Sequence, residues 1–146
     1  MPLQPNNFLA IANDHAGTEL KEKVMAEFSQ YNWLNFGTDS NDSVDYPDHA
    51  HPLSDAVSDG KAELGVLICG SGNGVCMSAN KHSDIRAALC WTEEISALAR
   101  QHNNANVVCI PARFVSEQTA LEIIRIFLET EFEGGRHGRR VDKIPC

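Results

Sequence analysis

The sequence predicts an α/β fold: a Rossmann-like three-layer α/β/α sandwich with a five-stranded parallel sheet. Three observations carry this. Short apolar runs alternate five times with segments of helical apolar spacing, the pattern of a sheet covered by helices on both faces. The run Gly-Val-Leu-Ile-Cys at 65–69 has no polar position, as a strand buried on both sides requires. It passes directly into Gly70-Ser71-Gly72-Asn73-Gly74, a strand-to-helix turn. The 146 residues, 42% apolar and 22% charged, suit one globular domain, with 133–146 as a basic C-terminal tail.

The elements follow in order. Residues 8–13 form an apolar run ending in polar residues, a first strand. In 17–30, Leu20, Val24 and Phe28 recur every fourth position, one face of a helix. A second strand over 33–36 is closed by Gly37, and the polar, turn-rich 38–47 is a loop. A helix is expected over 48–60, with Pro52 limiting where it starts. The strand at 65–69 leads to a short helix over 75–81, and 86–91 is the next strand. Thr92 is placed to cap a helix whose first turn holds Glu93 and Glu94 and which runs to about His102. A last strand, 107–110, stops at Pro111. Ser116 caps the final long helix, on which Ala120, Ile123, Ile124, Phe127 and Leu128 trace one face. The tail lacks an apolar period and is no sixth βα unit.

Composition excludes several classes of function. A net charge of −8 argues against a nucleic-acid partner. The apolar runs are too short to cross a membrane, and no secretory signal stands at the N-terminus. Five cysteines, an odd number with no CxxC pair, read as free thiols in a reducing cytoplasm.

Ligands in such sheets bind outside the carboxyl ends of the strands, so the residues following each strand are the candidates. The 70–74 loop suits an anion or a developing oxyanion, because glycines expose backbone N–H groups; it reads equally as a tight turn. It lacks the Gly-Lys-Ser/Thr of a phosphate-binding P-loop, and Val75 stands where a dinucleotide fingerprint has its third glycine. Cys69 closes the strand ahead of it. A thiol facing N–H dipoles is favoured as thiolate and can act as a base; taken alone, it reads more readily as a small buried hydrophobe. Asp14 and His15 follow the first strand, where Asp14 also suits an N-cap. His102 continues the face of Ile95, Leu98 and Ala99, which in isolation marks a core histidine; Asn103 and Asn104 after it suggest a polar crevice instead. The tail from Arg136 to Lys143 carries +3, leaving −11 for the rest of the chain. Its Arg136, His137 and Arg140, with Arg113 after the fifth strand, are candidates for a phosphate clamp; a solvated charged tail is the plainer reading. Asp48, His49 and His51 lack a convincing third or fourth ligand, so no metal is assigned.

Several strings together resemble one family. Asn13-Asp14-His15-Ala16-Gly17 with Leu20-Lys21, Asp45-Tyr46-Pro47, the 69–74 loop with Ala79-Asn80-Lys81, and Ile85-Arg86-Ala87-Ala88 stand in its order. Arg100-Gln101-His102-Asn103-Asn104-Ala105-Asn106 and Phe132-Glu133-Gly134-Gly135-Arg136-His137 with Arg140-Val141 complete the set. The chain thereby resembles the B-type ribose-5-phosphate isomerases, a family that also holds galactose-6-phosphate isomerase subunits, from Phe8 to about Ile144. The resemblance implies a cofactor-free, metal-free aldose–ketose isomerase acting on a sugar phosphate. It implies Cys69 as catalytic base, Ser71 assisting, His102 opening the sugar ring with Asp14, and Asn103 holding hydroxyls. The amides of Gly70, Gly72, Asn73 and Gly74 would hold the enediolate oxygen. His15, Arg113, Arg136, His137 and Arg140 fall at or near phosphate-contact positions, and Tyr46 lines the site. Some members use a Glu just after the loop as base; Val75 stands there, which puts this chain in the Cys-based group. The family is dimeric with shared sites, so a homodimer is implied, with pairing of dimers left open. Ribose 5-phosphate is the expected substrate. A hexose 6-phosphate of galactose or allose type stays open, because Thr92-Glu93-Glu94 departs from the family's usual residues. A nucleotide-binding regulatory domain, motivated by the glycine-rich loop, is the reading from another class.

Overall fold

A computed structural model describes residues 2–146. Strands β1 (Phe8–Asn13), β2 (Asn32–Asn35), β3 (Gly65–Cys69), β4 (Ala87–Leu89) and β5 (Val107–Pro111) form one parallel sheet in the order β2-β1-β3-β5-β4. The intervening helices are α1 (Thr18–Glu27), α2 (Pro47–Ser58), α3 (Asn73–Ala79), α4 (Glu93–Asn103) and α5 (Glu117–Glu129), with a short α6 (Arg136–Val141) in the tail. The expected three-layer α/β/α arrangement is the one observed.

Strand alternation sends successive side chains to opposite faces. Leu9, Ile11, Val66, Ile68, Val108 and Ile110 pack with α1, α4 and α5. Ala10, Ala12, Leu67, Cys69, Val107 and Cys109 pack with α2 and α3. The face expected on α5 is buried at all five positions; full burial of each Ile or Phe there contributes about 1.5–3 kcal/mol. Both expected caps form: Thr92 accepts from the Ile95 N–H at 3.2 Å and Ser116 from that of Thr119 at 3.1 Å.

Three boundaries differ from expectation. Pro52 lies inside α2; it lacks the N–H that would reach the Asp48 carbonyl, and its exposed position spares the packed face. Helix α3 begins two residues early, at Asn73, so the second half of the glycine loop is its first turn. Strand β4 is only three residues long. Its outer edge is covered by a side chain: Asn80 accepts from the Ala87 N–H at 2.8 Å and donates to the Ala87 carbonyl at 3.0 Å.

Candidate active site

The sheet order creates a crevice. From β1 the chain turns one way to β2, and from β3 the other way towards β4, so the connections leaving β1 and β3 diverge. Such a switch point is where α/β sheets hold ligands. The residues opening on it are Asp14 and His15 after β1 and the 70–74 loop after β3. The Asp14 N–H donates to the Ile68 carbonyl at 3.2 Å, tying the two strand ends together. Asp14 Oδ1 accepts from the Ala16 N–H at 2.9 Å, the cap expected of it, over a 3-10 turn spanning His15–Gly17.

Cys69 ends β3 at 5% exposure, beside the half-buried Gly70. Arg113 lies over that glycine: its N–H donates to the Gly70 carbonyl at 3.0 Å, and a Cβ on Gly70 would stand 3.2 Å from Nη1. Gly72 has φ +76° and backs onto β5, where a Cβ would meet Ile110 and Pro111 backbone at 3.3 Å. Gly74 lies under the Tyr46 ring, 2.5 Å from where a Cβ would sit. Ser71 Oγ accepts from the Asn73 N–H at 3.3 Å, which shapes the turn. Glycine is thus required at 72 and 74 by the close approach of neighbours.

The 38–46 loop carrying Tyr46 is pinned to the end of β1. His15 Nδ1 accepts from the Val44 N–H at 3.3 Å, and Thr18 donates to the Ser40 carbonyl at 2.7 Å. The buried Lys21 ammonium donates to the Thr38 carbonyl at 2.5 Å and pairs with Asp39 at 2.6 Å. That pairing, chiefly the hydrogen bond from Lys21, holds the Asp39 carboxyl below its ordinary range. The sequence reading missed Lys21, because a lysine on an amphipathic helix looks like a solvated one.

The remaining predicted residues stand elsewhere. Helix α4 leaves the carboxyl end of β4 and returns to the amino end of β5, so its last residues, His102 and Asn103, lie at the amino edge of the sheet. The tail joins them: the Glu133 N–H donates to the Gln101 carbonyl at 3.1 Å, and α6 packs on α4. His102 is not the core histidine that its helical face suggested in isolation. Its side chain is 40% exposed, Ile95 is exposed too, and the buried residues of α4 are Ser96 and Ala99.

The His102 ring stacks on His137 with centroids 4.2 Å apart and planes 9° from parallel. Glu133 Oε1 lies 3.8 Å from His102 Nε2 and 3.7 Å from His137 Nε2. These three groups offer donor atoms within 4.8 Å of one another. Near-parallel rings, however, aim their lone pairs side by side rather than at one ion, so the arrangement sets one carboxylate at ion-pair distance from two imidazoles. Desolvation, then His102 and Arg136, push the His137 pKa below its ordinary value. Glu133 was not foreseen as a site residue; an acid opening a basic tail is the signal that could have marked it.

The candidate residues therefore fall into two groups. Asp14, His15, Tyr46, Cys69, Gly70, Ser71, Gly72, Asn73, Gly74 and Arg113 gather at the carboxyl edge. His102, Asn103, Arg136, His137 and Arg140 gather at the amino edge. A cleft of 540 Å³ at the amino edge is lined in part by Asn103, Arg86 and Val141. No helix among the described residues is long and apolar enough to cross a membrane.

Comparison with known proteins places the fold. The profile of the Ribose/Galactose Isomerase family matches residues 9–144. A Mycoplasma genitalium protein named "Probable ribose-5-phosphate isomerase B" is 48% identical over 141 residues, covering 92% of this chain and 91% of the relative. The crystal structure of a ribose 5-phosphate isomerase from Thermotoga maritima superposes with a TM-score of 0.92 at 43% identity, over 95% of this chain and 97% of that one. The structure of ribose-5-phosphate isomerase B from Mycoplasma genitalium with bound ribulose-5-phosphate gives a TM-score of 0.90 at 44% identity, over 97% and 95% of the two chains. With the fold and near full-length matches in accord, this chain belongs to the ribose/galactose isomerase family.

Proposed function

We propose that the chain interconverts ribose 5-phosphate and ribulose 5-phosphate in the cytoplasm by proton transfer through an enediolate. The observation that carries this is the meeting of Cys69, the 70–74 amides and Arg113 at the crevice between β1 and β3. The hydrogen on the carbon next to a carbonyl is a weak acid, so its removal needs a positioned base and a stabilised oxyanion. In this reading the Cys69 thiolate takes the proton from C2 of the open-chain aldose and returns it to C1. The amides of Gly70, Gly72, Asn73 and Gly74 hold the oxygen that gains charge, and Ser71 assists the proton exchange between oxygens. His102, with Asp14, opens the ring, and Asn103 holds hydroxyls. His15, Arg113, Arg136, His137 and Arg140 clamp the phosphate, and Tyr46 walls the site.

The separation of the two groups supports a homodimer in which the amino edge of one protomer completes the carboxyl edge of its partner. Exposed apolar side chains are available for the contact: the Trp91 and Phe114 rings lie 5.4 Å apart and tilted, 46% and 60% exposed, and Ile95 is 47% exposed. Mixing tests this. Cys69→Ala and His102→Ala are each inactive, but unfolded and refolded together at equal amounts they regain about a quarter of wild-type turnover, since half the dimers carry one intact site. Recovery of no activity, with dimers present by light scattering, places both residues in one protomer's site and overturns the shared arrangement.

Substrate choice is tested by a panel. Turnover on ribose 5-phosphate is expected to exceed that on allose 6-phosphate and galactose 6-phosphate. The reverse order assigns the chain to hexose phosphates.

A further inference from the structure

Cys76 takes no part in the chemistry assigned above, yet its surroundings are built. It sits half-buried in the middle of α3, facing the edge of β4 and the underside of β5. Asn80 Nδ2 donates to its sulfur at 3.6 Å, and the side chain packs against the core cluster that holds Cys109. When protonated, Cys76 itself donates to the Ala87 carbonyl at 3.5 Å. The hydrogen bond from Cys109 is the main reason that the Cys76 pKa lies below the ordinary thiol value, against the opposing effect of burial. Burial pushes Cys109 far up, and pushes Cys90 up to about 12. A half-buried thiol, held by Asn80 and the Ala87 carbonyl, thus packs in one cluster with the fully buried Cys109. Low-pKa, accessible cysteines beside a resolving cysteine are the ones that oxidants select.

We propose that Cys76 and Cys109 form an oxidation site for hydroperoxides, with Cys76 attacked first and Cys109 resolving the product as a disulfide. The Cys76 thiolate attacks the terminal peroxide oxygen and the O–O bond breaks. Cys76 becomes a sulfenic acid, and the departing oxygen takes a proton to leave as water or an alcohol. The Cys109 sulfur then attacks the Cys76 sulfur and the S–O bond breaks. The released hydroxyl carries off the Cys109 proton as water. Two thiols lose two electrons and one hydroperoxide gains them.

The bond would reach the 70–74 loop from behind. The Cys76 N–H donates to the Gly72 carbonyl at 3.2 Å, and Gly72 rests on Ile110 and Pro111 of β5. Closing the sulfurs to about 2 Å draws α3 and β5 together beneath that loop. Oxidation should therefore slow turnover; this consequence rests on the function proposed above, whereas the disulfide does not.

The test treats the whole protein with hydrogen peroxide, blocks remaining thiols, digests without reductant and reads cross-linked peptides by mass spectrometry. A Cys76–Cys109 pair is expected in the wild type and equally in Cys69→Ala, and is reversed by dithiothreitol. Cys109→Ala, with folding checked by circular dichroism, should instead give a Cys76 sulfenic acid trapped by dimedone; should it not fold, the wild-type cross-link still decides. Wild-type turnover should fall several-fold faster under peroxide than that of Cys76→Ser. Recovery of Cys76 and Cys109 as free thiols after Cys69 and Cys146 have oxidised overturns the proposal, as does pairing of Cys76 with any other thiol. A cross-link with no difference in turnover overturns the coupling to the loop. Loss of the isomerase reading leaves the peptide result untouched, so the two failures are distinct.

Discussion

Cys69→Ala is expected to lower turnover on ribose 5-phosphate by about 10²–10⁴-fold, the usual contribution of a positioned general base, while sugar-phosphate binding is retained. The residue sits where a base can act: at the end of β3, paired in register with Pro111 and followed at once by the glycine loop. It packs in the cluster beneath α2 and α3 with residues such as Ala12, Ala50 and Val75, and replacing it by Ala removes a single sulfur from that packing. In the proposed reading, binding rests on charged groups of other elements, Arg113 on one side and the arginines of α6 on the other. Steady-state turnover with an independent titration of ribose 5-phosphate separates the two effects. Turnover within a few-fold of wild type would remove Cys69 from the chemistry; loss of binding as well would make its role structural.

Gly37→Ala is expected to cost about 3 kcal/mol of stability and to lower Tm by roughly 10 °C, as overpacking against a rigid neighbour does. A Cβ at position 37 would stand 2.6 Å from the backbone nitrogen of Asn13 and closer still to its Oδ1. Neither atom can yield cheaply. Asn13 is fully buried, and its Nδ2 donates to the Asp14 carbonyl at 2.8 Å, to Thr18 Oγ1 at 3.2 Å and to the Thr38 carbonyl at 3.1 Å. Moving it loosens the join between β1 and the 38–46 loop, and with it Asp14, His15 and Tyr46. Calorimetric unfolding checks the prediction, and an unchanged Tm would show that this join is softer than its hydrogen bonds imply.

How far the fold was legible depends on which physical signal each segment carries. The face on α5 and the caps Thr92 and Ser116 were readable because periodicity and capping are local. The early start of α3 was not, since nothing local distinguishes a loop residue from a first helical turn when both are Asn and Gly. The carboxyl-edge residues were legible from position alone, as those that follow strands. His102 was misleading, because its helical spacing matched a face that the fold buries only at Ala99 and leaves exposed at Ile95. The division of the candidate residues between the two sheet edges was not legible from spacing, and shared sites were implied only by the resemblance. A string of residues does not show at which end of a sheet each helix terminates until strands and their directions are assigned. The roles of individual residues came from resemblance to a family rather than from spacing, and they await the variants described above.

The short β4 strand has one more consequence. In a parallel strand, alternate residues point their amide groups outward, here Ala87 and Leu89. Asn80 engages both Ala87 groups. A foreign chain seeking to extend the sheet on that side finds the Ala87 positions taken by Asn80, which disfavours fibril-type stacking through this border. Self-association is thereby steered towards side-chain surfaces, where geometry can be selective, and away from indiscriminate backbone zippering.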